Sequence, residues 1–251
     1  MGRDGLGRGE RGGERGGGRG ALDLRRVQRE DLPLALARLH GSLPVGARVS
    51  VRVDVRMLDV SPLLEAAGFE IAAITGGDRV EIVRLRTLPD IAGPGMRLLV
   101  CGLNPSLHSA DAGVNFARPG NRFWPAARAA GIVVLDRDPW DALAHHHVGF
   151  TDLVKRSSVS ATDLTTADYA AGAARLAWTV QLLHPDVVCF VGLTGWRGAV
   201  DKRATAGPQP AGFAGAAAYV MPNTSGLNAH ATPADFAAHL RAAYDLGAPG
   251  E

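Results

Sequence analysis

Two stretches of the chain set side chains capable of chemistry just past apolar runs, the place where open parallel sheets meet their ligands. In the first, LLVCGLNPSLHSADAGVNFARPGNRFW at 98–124, the apolar run ends at Gly102 and the chain turns at Asn104-Pro105. Glycine permits a close backbone approach, and an Asn-Pro pair makes a tight turn that presents the amide. An amide is too weak a base to take a proton. It can orient a polar group by hydrogen bonding instead. Farther along, Phe116 sits on a loop with glycine nearby, and Pro119-Gly120-Asn121 reads as the cap of a helix carrying Phe123 and Trp124. Asn121 is the expected cap and Arg122 a phosphate contact, although both also fit a purely structural role. In the second stretch, YVMPNTSGLNAHATP at 219–233, a strand and Pro222 lead into Asn223-Thr224-Ser225-Gly226-Leu227-Asn228. Leu227, alone among small polar residues at an exposed tip, is a candidate wedge. Taken singly, Asn104 is a turn former and Phe116 a core aromatic; taken jointly, the two loops point to a site.

The elements that must hold these loops alternate. Strands at 97–102, 149–153, 186–192 and 217–221 are separated by helices at 122–130, 139–146 and 167–183, with a last helix at 233–246. That order predicts an α/β fold, a three-layer α/β/α sandwich around a mostly parallel sheet, over about 94–246. LPDIAGPG at 88–95, with its prolines and glycines, reads as the boundary into it. Ahead of the boundary, 22–89 carries a small α+β pattern: helices at 31–40 and 61–67, strands at 48–55, 69–75 and 79–86, with Asp31 and Ser61 as expected caps. The run 1–20, almost all glycine and arginine, has nothing to bury and is expected to be disordered, either holding nucleic acid loosely or extending inertly.

Bulk properties narrow the classes. Hydrophobic residues make up 46% of the 251, enough for a packed core, and no apolar run reaches the length of a membrane span. Arginine and glycine stand where a secretory leader needs an apolar stretch, so a cytoplasmic protein is expected. The net charge of +2 is uneven: eight Arg face five acidic residues in 1–30, whereas eleven Lys/Arg face twelve acidic residues in 101–251. Any polyanion would therefore be met by local basic groups and backbone amides rather than by overall attraction. Cys101 and Cys189 lie in apolar runs and read as buried thiols, too few for an iron–sulfur cluster. His145-His146-His147 do not share a helix face and have no acid four residues on, so no metal site is expected. Lys155-Arg156 and Lys202-Arg203 are phosphate contacts or solvated surface. Asp152, at the end of a predicted strand, is the acid placed to face the pocket.

GLNPS, FARPGNRFW and MPNTSGLNAH resemble, in order and spacing over about 94–246, the motifs of the mismatch-specific uracil/thymine DNA glycosylases of the uracil-DNA glycosylase superfamily. The resemblance implies that Asn104 positions the attacking water, Leu103, Pro105 and Ser106 shape the base pocket, and Phe116 stacks on an extruded base beside Asn121. It also implies that Gly226, Leu227 and Asn228 enter the duplex, with Asn223, Ser225, His230 and Arg122 near the phosphates. The family often carries glycine where Ser106 stands and proline where Thr224 stands, and His108 and His230 are not typical of it. The implied protein is a monofunctional DNA repair enzyme that flips uracil or mispaired thymine from double-stranded DNA and leaves an abasic site, without a cofactor and as a monomer. Two other classes stay open: a non-catalytic module that binds DNA lesions, and a methyltransferase. LLEAAGFE and RVEIVRLRT resemble the C-terminal end of a class I methyltransferase, but the glycine-rich cofactor loop that should open such a fold is missing.

Overall fold

The computed structural model describes residues 22–54, 59–228 and 230–248; the expected disorder of 1–20 concerns residues outside these. The first part of the chain builds a four-stranded sheet. β1 (Leu22–Asp23), α1 (Leu32–Ser42), β2 (Arg48–Arg52), α2 (Val60–Ala66), β3 (Phe69–Thr75) and β4 (Arg79–Arg84) follow in order. The strands lie β1-β2-β4-β3, with β4 antiparallel to both neighbours. Alternation in the strands puts Val51, Val80, Ile82 and Phe69 inward against Leu36, Leu63 and Leu64 of the two helices. The caps differ from expectation: Asp31 precedes α1 without a side-chain cap bond, and α2 starts earlier, where Asp59 rather than Ser61 accepts the backbone N–H, from Ser61 itself at 3.3 Å.

The second sheet holds the loops of interest. β5 (Leu98–Gly102) leads through α3 (Leu107–Ala112), α4 (Phe123–Ala129) and α5 (Pro139–His146) to β6 (Val148–Asp152). α6 (Thr166–Leu183), β7 (Val187–Val191), α7 (Leu193–Ala199), β8 (Gly207–Phe213), β9 (Ala216–Met221) and α8 (Pro233–Leu246) complete it. The order is β6-β5-β7-β9-β8, parallel but for β8, which pairs antiparallel with β9. This is the expected three-layer arrangement. It follows from the strands: β5, β6 and β7 are buried at every position, so both faces must be covered. Leu98, Val100, Cys189 and Met221 meet Phe123, Trp124, Phe236 and Leu240 of α4 and α8 on one side. Leu99, Cys101, Val188 and Val220 meet Leu176, Val180 and Trp196 of α6 and α7 on the other. Each fully buried Phe on these faces, such as Phe123 or Phe150, contributes about 1.5–3 kcal/mol. Among the described residues no helix is long and apolar enough to cross a membrane.

Four labelled elements were not expected from sequence: the two-residue β1, and α3, α7 and β8. The helices are short and glycine-flanked, with too few turns to show a period. β8 contains Pro208 and Pro210, which a sheet tolerates at an edge, where β8 lies.

Candidate active site

β5 leads leftward to β6 and β7 leads rightward to β9, so the sheet has its switch point between β5 and β7. A cleft of about 560 Å³ opens there, beyond the C-terminal ends of the strands. Leu103, Asn104, Pro105, Ser106, Phe116, Asn121, Asn223, Ser225, Leu227, Asn228 and His230 all line it. Of the residues singled out in the sequence, Arg122 and Gly226 do not line the cleft. A larger hollow of about 940 Å³ lies on the first sheet, lined by Leu39, Leu43, Val49 and Ile82 with Ser42, Arg48 and Glu81, and neither of the two loops reaches it.

The Asn104 amide is held from below. Its Nδ2 donates to the carbonyl of Arg156 at 3.0 Å and to Ser158 Oγ at 2.9 Å, which leaves Oδ1 to meet a water. The loop supplying those acceptors is itself pinned twice. On one side Leu153, Val154 and Ser158 donate to the carbonyls of Gly102, Leu103 and Pro105 at 2.8, 2.9 and 3.2 Å. On the other, the segment joining the two sheets supplies Thr87, whose hydroxyl donates to the Lys155 carbonyl, and the Arg86 carbonyl, which accepts from Ser157 Oγ at 2.6 Å. Lys155 is therefore neither solvated surface nor a phosphate contact. Its Nζ is buried 2.8 Å from Asp90, which also meets Arg175 at 3.1 Å and the Thr151 hydroxyl at 2.7 Å. Sequence alone gives no hint of this cluster, since Asp90, Thr151, Lys155 and Arg175 come from four separate segments.

Phe116 occupies φ 57°, costly for a bulky side chain, and stacks on Phe123 with centroids 4.3 Å apart and planes at 19°. One ring face is backed and the ring borders the cleft. Ser106 does not need to be glycine: at φ −68° it caps α3, accepting from Ser109 N at 3.1 Å, and Ser109 Oγ in turn accepts from Ala117 N at 3.2 Å, beside Phe116. Thr224 likewise has a task. Its hydroxyl donates to Asn121 Oδ1 at 2.9 Å, and the same oxygen accepts from Phe123 N at 2.9 Å, tying the second loop to the first.

Arg122 serves that tie instead of meeting phosphate. Its Nη1 donates to the Ala231 carbonyl at 3.0 Å and its Nη2 to those of Ser225, at 2.9 Å, and Asn228, while the guanidinium lies over Phe236 at 4.7 Å. A side chain on Gly226 would place Cβ 2.8 Å from the Gly120 carbonyl oxygen, so glycine lets the two loops touch. At the tip Leu227 is 87% exposed, and across the mouth Val159, which sequence reasoning passed over, is 79% exposed. Both are apolar groups presented to solvent at the rim.

Asp152 lies at the floor of the cleft, with Asn115 Nδ2 3.3 Å from its Oδ2. Burial pushes its acid up to about 6, against the pull of Lys155, Arg175 and Asn115. Burial also raises both cysteine thiols, that of Cys189 to about 12. Among the described residues no group of three or more His, Cys, Asp or Glu is placed to hold a metal ion. His145 and His146 instead approach Asp141, at 3.9 and 3.7 Å, an acid preceding them that the sequence reading did not weigh.

The chain is similar to a solution NMR structure of a candidate uracil DNA glycosylase from Methanosarcina acetivorans, at 18% identity, covering 62% of this chain and 96% of that one, with a TM-score of 0.42. The profile of the Uracil DNA glycosylase superfamily matches residues 89–246, the second sheet with all its loops. The chain belongs to the uracil DNA glycosylase superfamily.

Proposed function

We propose that the protein is a monofunctional, mismatch-specific DNA glycosylase that extrudes uracil or mispaired thymine from duplex DNA and hydrolyses its N-glycosidic bond, leaving an abasic site. The observation that carries this is that Asn104 and Leu227, from loops more than a hundred residues apart, line one cleft together with Phe116. A base inside a duplex is out of reach, and extruding it costs a few kcal/mol, least at a mismatch. Leu227 fills the gap left in the stack, with Val159 on the facing rim. Phe116, backed by Phe123, stacks on the extruded base. Asn104 Oδ1 accepts a hydrogen from water and orients its lone pair toward the sugar carbon; as the bond to the base lengthens, backbone amides at the pocket stabilise the departing anion.

Hydrolysis by water uses no cofactor, and one chain supplies every group, so a monomer suffices. Nor does a Schiff base fit. The sequence has two lysines; Lys155 is buried against Asp90, and Lys202 follows α7, away from the cleft. Ser106 and Thr224, the departures on which a non-catalytic lesion binder would rest, act as a helix cap and a loop tie.

The test is single-turnover cleavage of labelled duplexes bearing uracil or thymine opposite guanine. The wild type is expected to yield alkali-labile abasic sites, and Asn104→Ala to cut the rate about 100-fold or more while binding the same duplexes. Retained binding with no abasic product from any duplex would instead identify a lesion-binding module.

A further inference from the structure

Asp152 ends β6, and its register partner on β5 is Gly102, where the chain opens into the Asn104 turn. Its side chain leans over that strand: a Cβ on Gly102 would stand 2.3 Å from Asp152 Oδ1 and 3.5 Å from the tip of the Phe116 ring. Glycine at 102 thus makes room for a carboxylate at the floor of the cleft, beside the stacking ring. The residue is only 5% exposed, and a carboxylate so deep is costly unless it is well paired. Its pairing is thin. Asn115 Nδ2 reaches Oδ2 at 3.3 Å, while the nearby cations Lys155 and Arg175 are directed to Asp90, Arg175 also taking the main-chain carbonyl of Asp152 at 2.6 Å. Charge nevertheless favours an anion there, because Asp90 neutralises one of the two cations and leaves one positive charge over. Asp152 lines the cleft, and a buried acid whose neighbouring cations are engaged elsewhere is of the kind that concentrates where chemistry is done.

We propose that Asp152 is a second catalytic residue of the glycosylase reaction, its carboxylate taking the proton of the water that Asn104 orients. This rests on the glycosylase function proposed above. The bond from the sugar carbon to the base breaks with its electron pair leaving on the base; the water oxygen bonds to that carbon. One water proton passes to Asp152 Oδ1 and then to the departed base or to solvent, which restores the carboxylate. Until the water adds, the negative charge faces the cationic sugar. The groups around Asp152 are Asp90 from the joining segment, Lys155 from the loop after β6, Arg175 from α6, Asn115 from the loop before α4, and the Cys101 thiol on β5. With burial raising the acid to about 6, the rate rises with pH through that value and is flat above it.

The experiment is single-turnover cleavage of a uracil–guanine duplex by the full chain, at saturating enzyme, from about pH 5 to 8. Asp152→Asn keeps the size and an acceptor for Asn115, so duplex affinity and melting temperature are expected to hold. Its plateau rate is expected to fall at least about 100-fold, and its acid limb to vanish. A plateau within about threefold of wild type, or the same acid limb in the variant, overturns the assignment. Should Asp152→Asn fail to fold, the wild-type profile decides: a rate flat across the range rules Asp152 out, and a limb near 6 supports it. A wild type that releases no base from any duplex removes the glycosylase function and this role together; an active wild type leaves only the role of Asp152 at issue.

Discussion

Asp90→Asn should damage both stability and turnover, and the structure sets the size of the effect. The substitution keeps the side chain's shape but strands Lys155 and Arg175, whose side chains are 4% and 2% exposed, without the carboxylate that lies between them. Removing one member of a buried ion pair costs about 3–5 kcal/mol. Asp152 nearby takes up part of the uncompensated charge, which favours the lower end. For a chain of this size each kcal/mol shifts the melting temperature by about 2–4 °C, so a fall of roughly 6–20 °C is expected by calorimetry. Turnover should drop as well, because Lys155 leads directly into the carbonyl of Arg156 and the hydroxyl of Ser158 that hold the Asn104 amide. Adding Lys155→Met removes one stranded cation, so the double variant should be at least about 1 kcal/mol more stable than the sum of the single effects. A melting temperature within about 2 °C of wild type for Asp90→Asn, or strict additivity in the pair, would refute the account of this cluster.

Leu227→Ala removes the most exposed large apolar side chain at the rim, and a duplex carrying 2-aminopurine beside the target base should brighten less on binding; identical fluorescence with both proteins would exclude a wedge at that tip. His40 predicts an acid limb of stability. Its Nε2 lies 3.3 Å from the Leu85 carbonyl oxygen, and burial holds its conjugate acid down, from 6.5 to about 4. A lowered folded-state value means that its contribution is complete above 6.5 and is lost as pH falls toward 4, so the urea midpoint of wild type should converge on that of His40→Gln across that window. A constant gap between the two curves would contradict it.

Much of the second sheet was legible because burial on both faces leaves β5 and β7 wholly apolar and β6 apolar in its first half, with helical periods between them. The two loops were legible for a different reason: Asn104-Pro105 and the run around Leu227 use residue types that turns and tips demand. Asp152 could be placed only by its strand end, since its surroundings come from β5, α6 and the joining segment. Roles that depend on such distant partners were out of reach. Arg122 looks like a phosphate contact until Ser225, Asn228 and Ala231 turn their carbonyls toward it, and Lys155 looks like surface until Asp90 arrives from sixty-five residues upstream, while its neighbour Arg156 stays half exposed against Asp168. Val159 was missed because a lone valine among serines carries no period.

The joining segment has a practical consequence for anyone cutting this gene. Similarity to the superfamily begins at residue 89, yet Arg86, Thr87 and Leu88 already bond to the loop beneath Asn104 or wall the cleft. A fragment trimmed where the resemblance starts would carry every motif and still leave the Asn104 amide on a slack support. The joining segment is in turn bonded back to the first sheet's unit, Leu85 N to the Gly68 carbonyl at 3.0 Å and Asp90 N to that of Ala66 at 2.8 Å, so the smallest piece worth expressing begins ahead of that sheet.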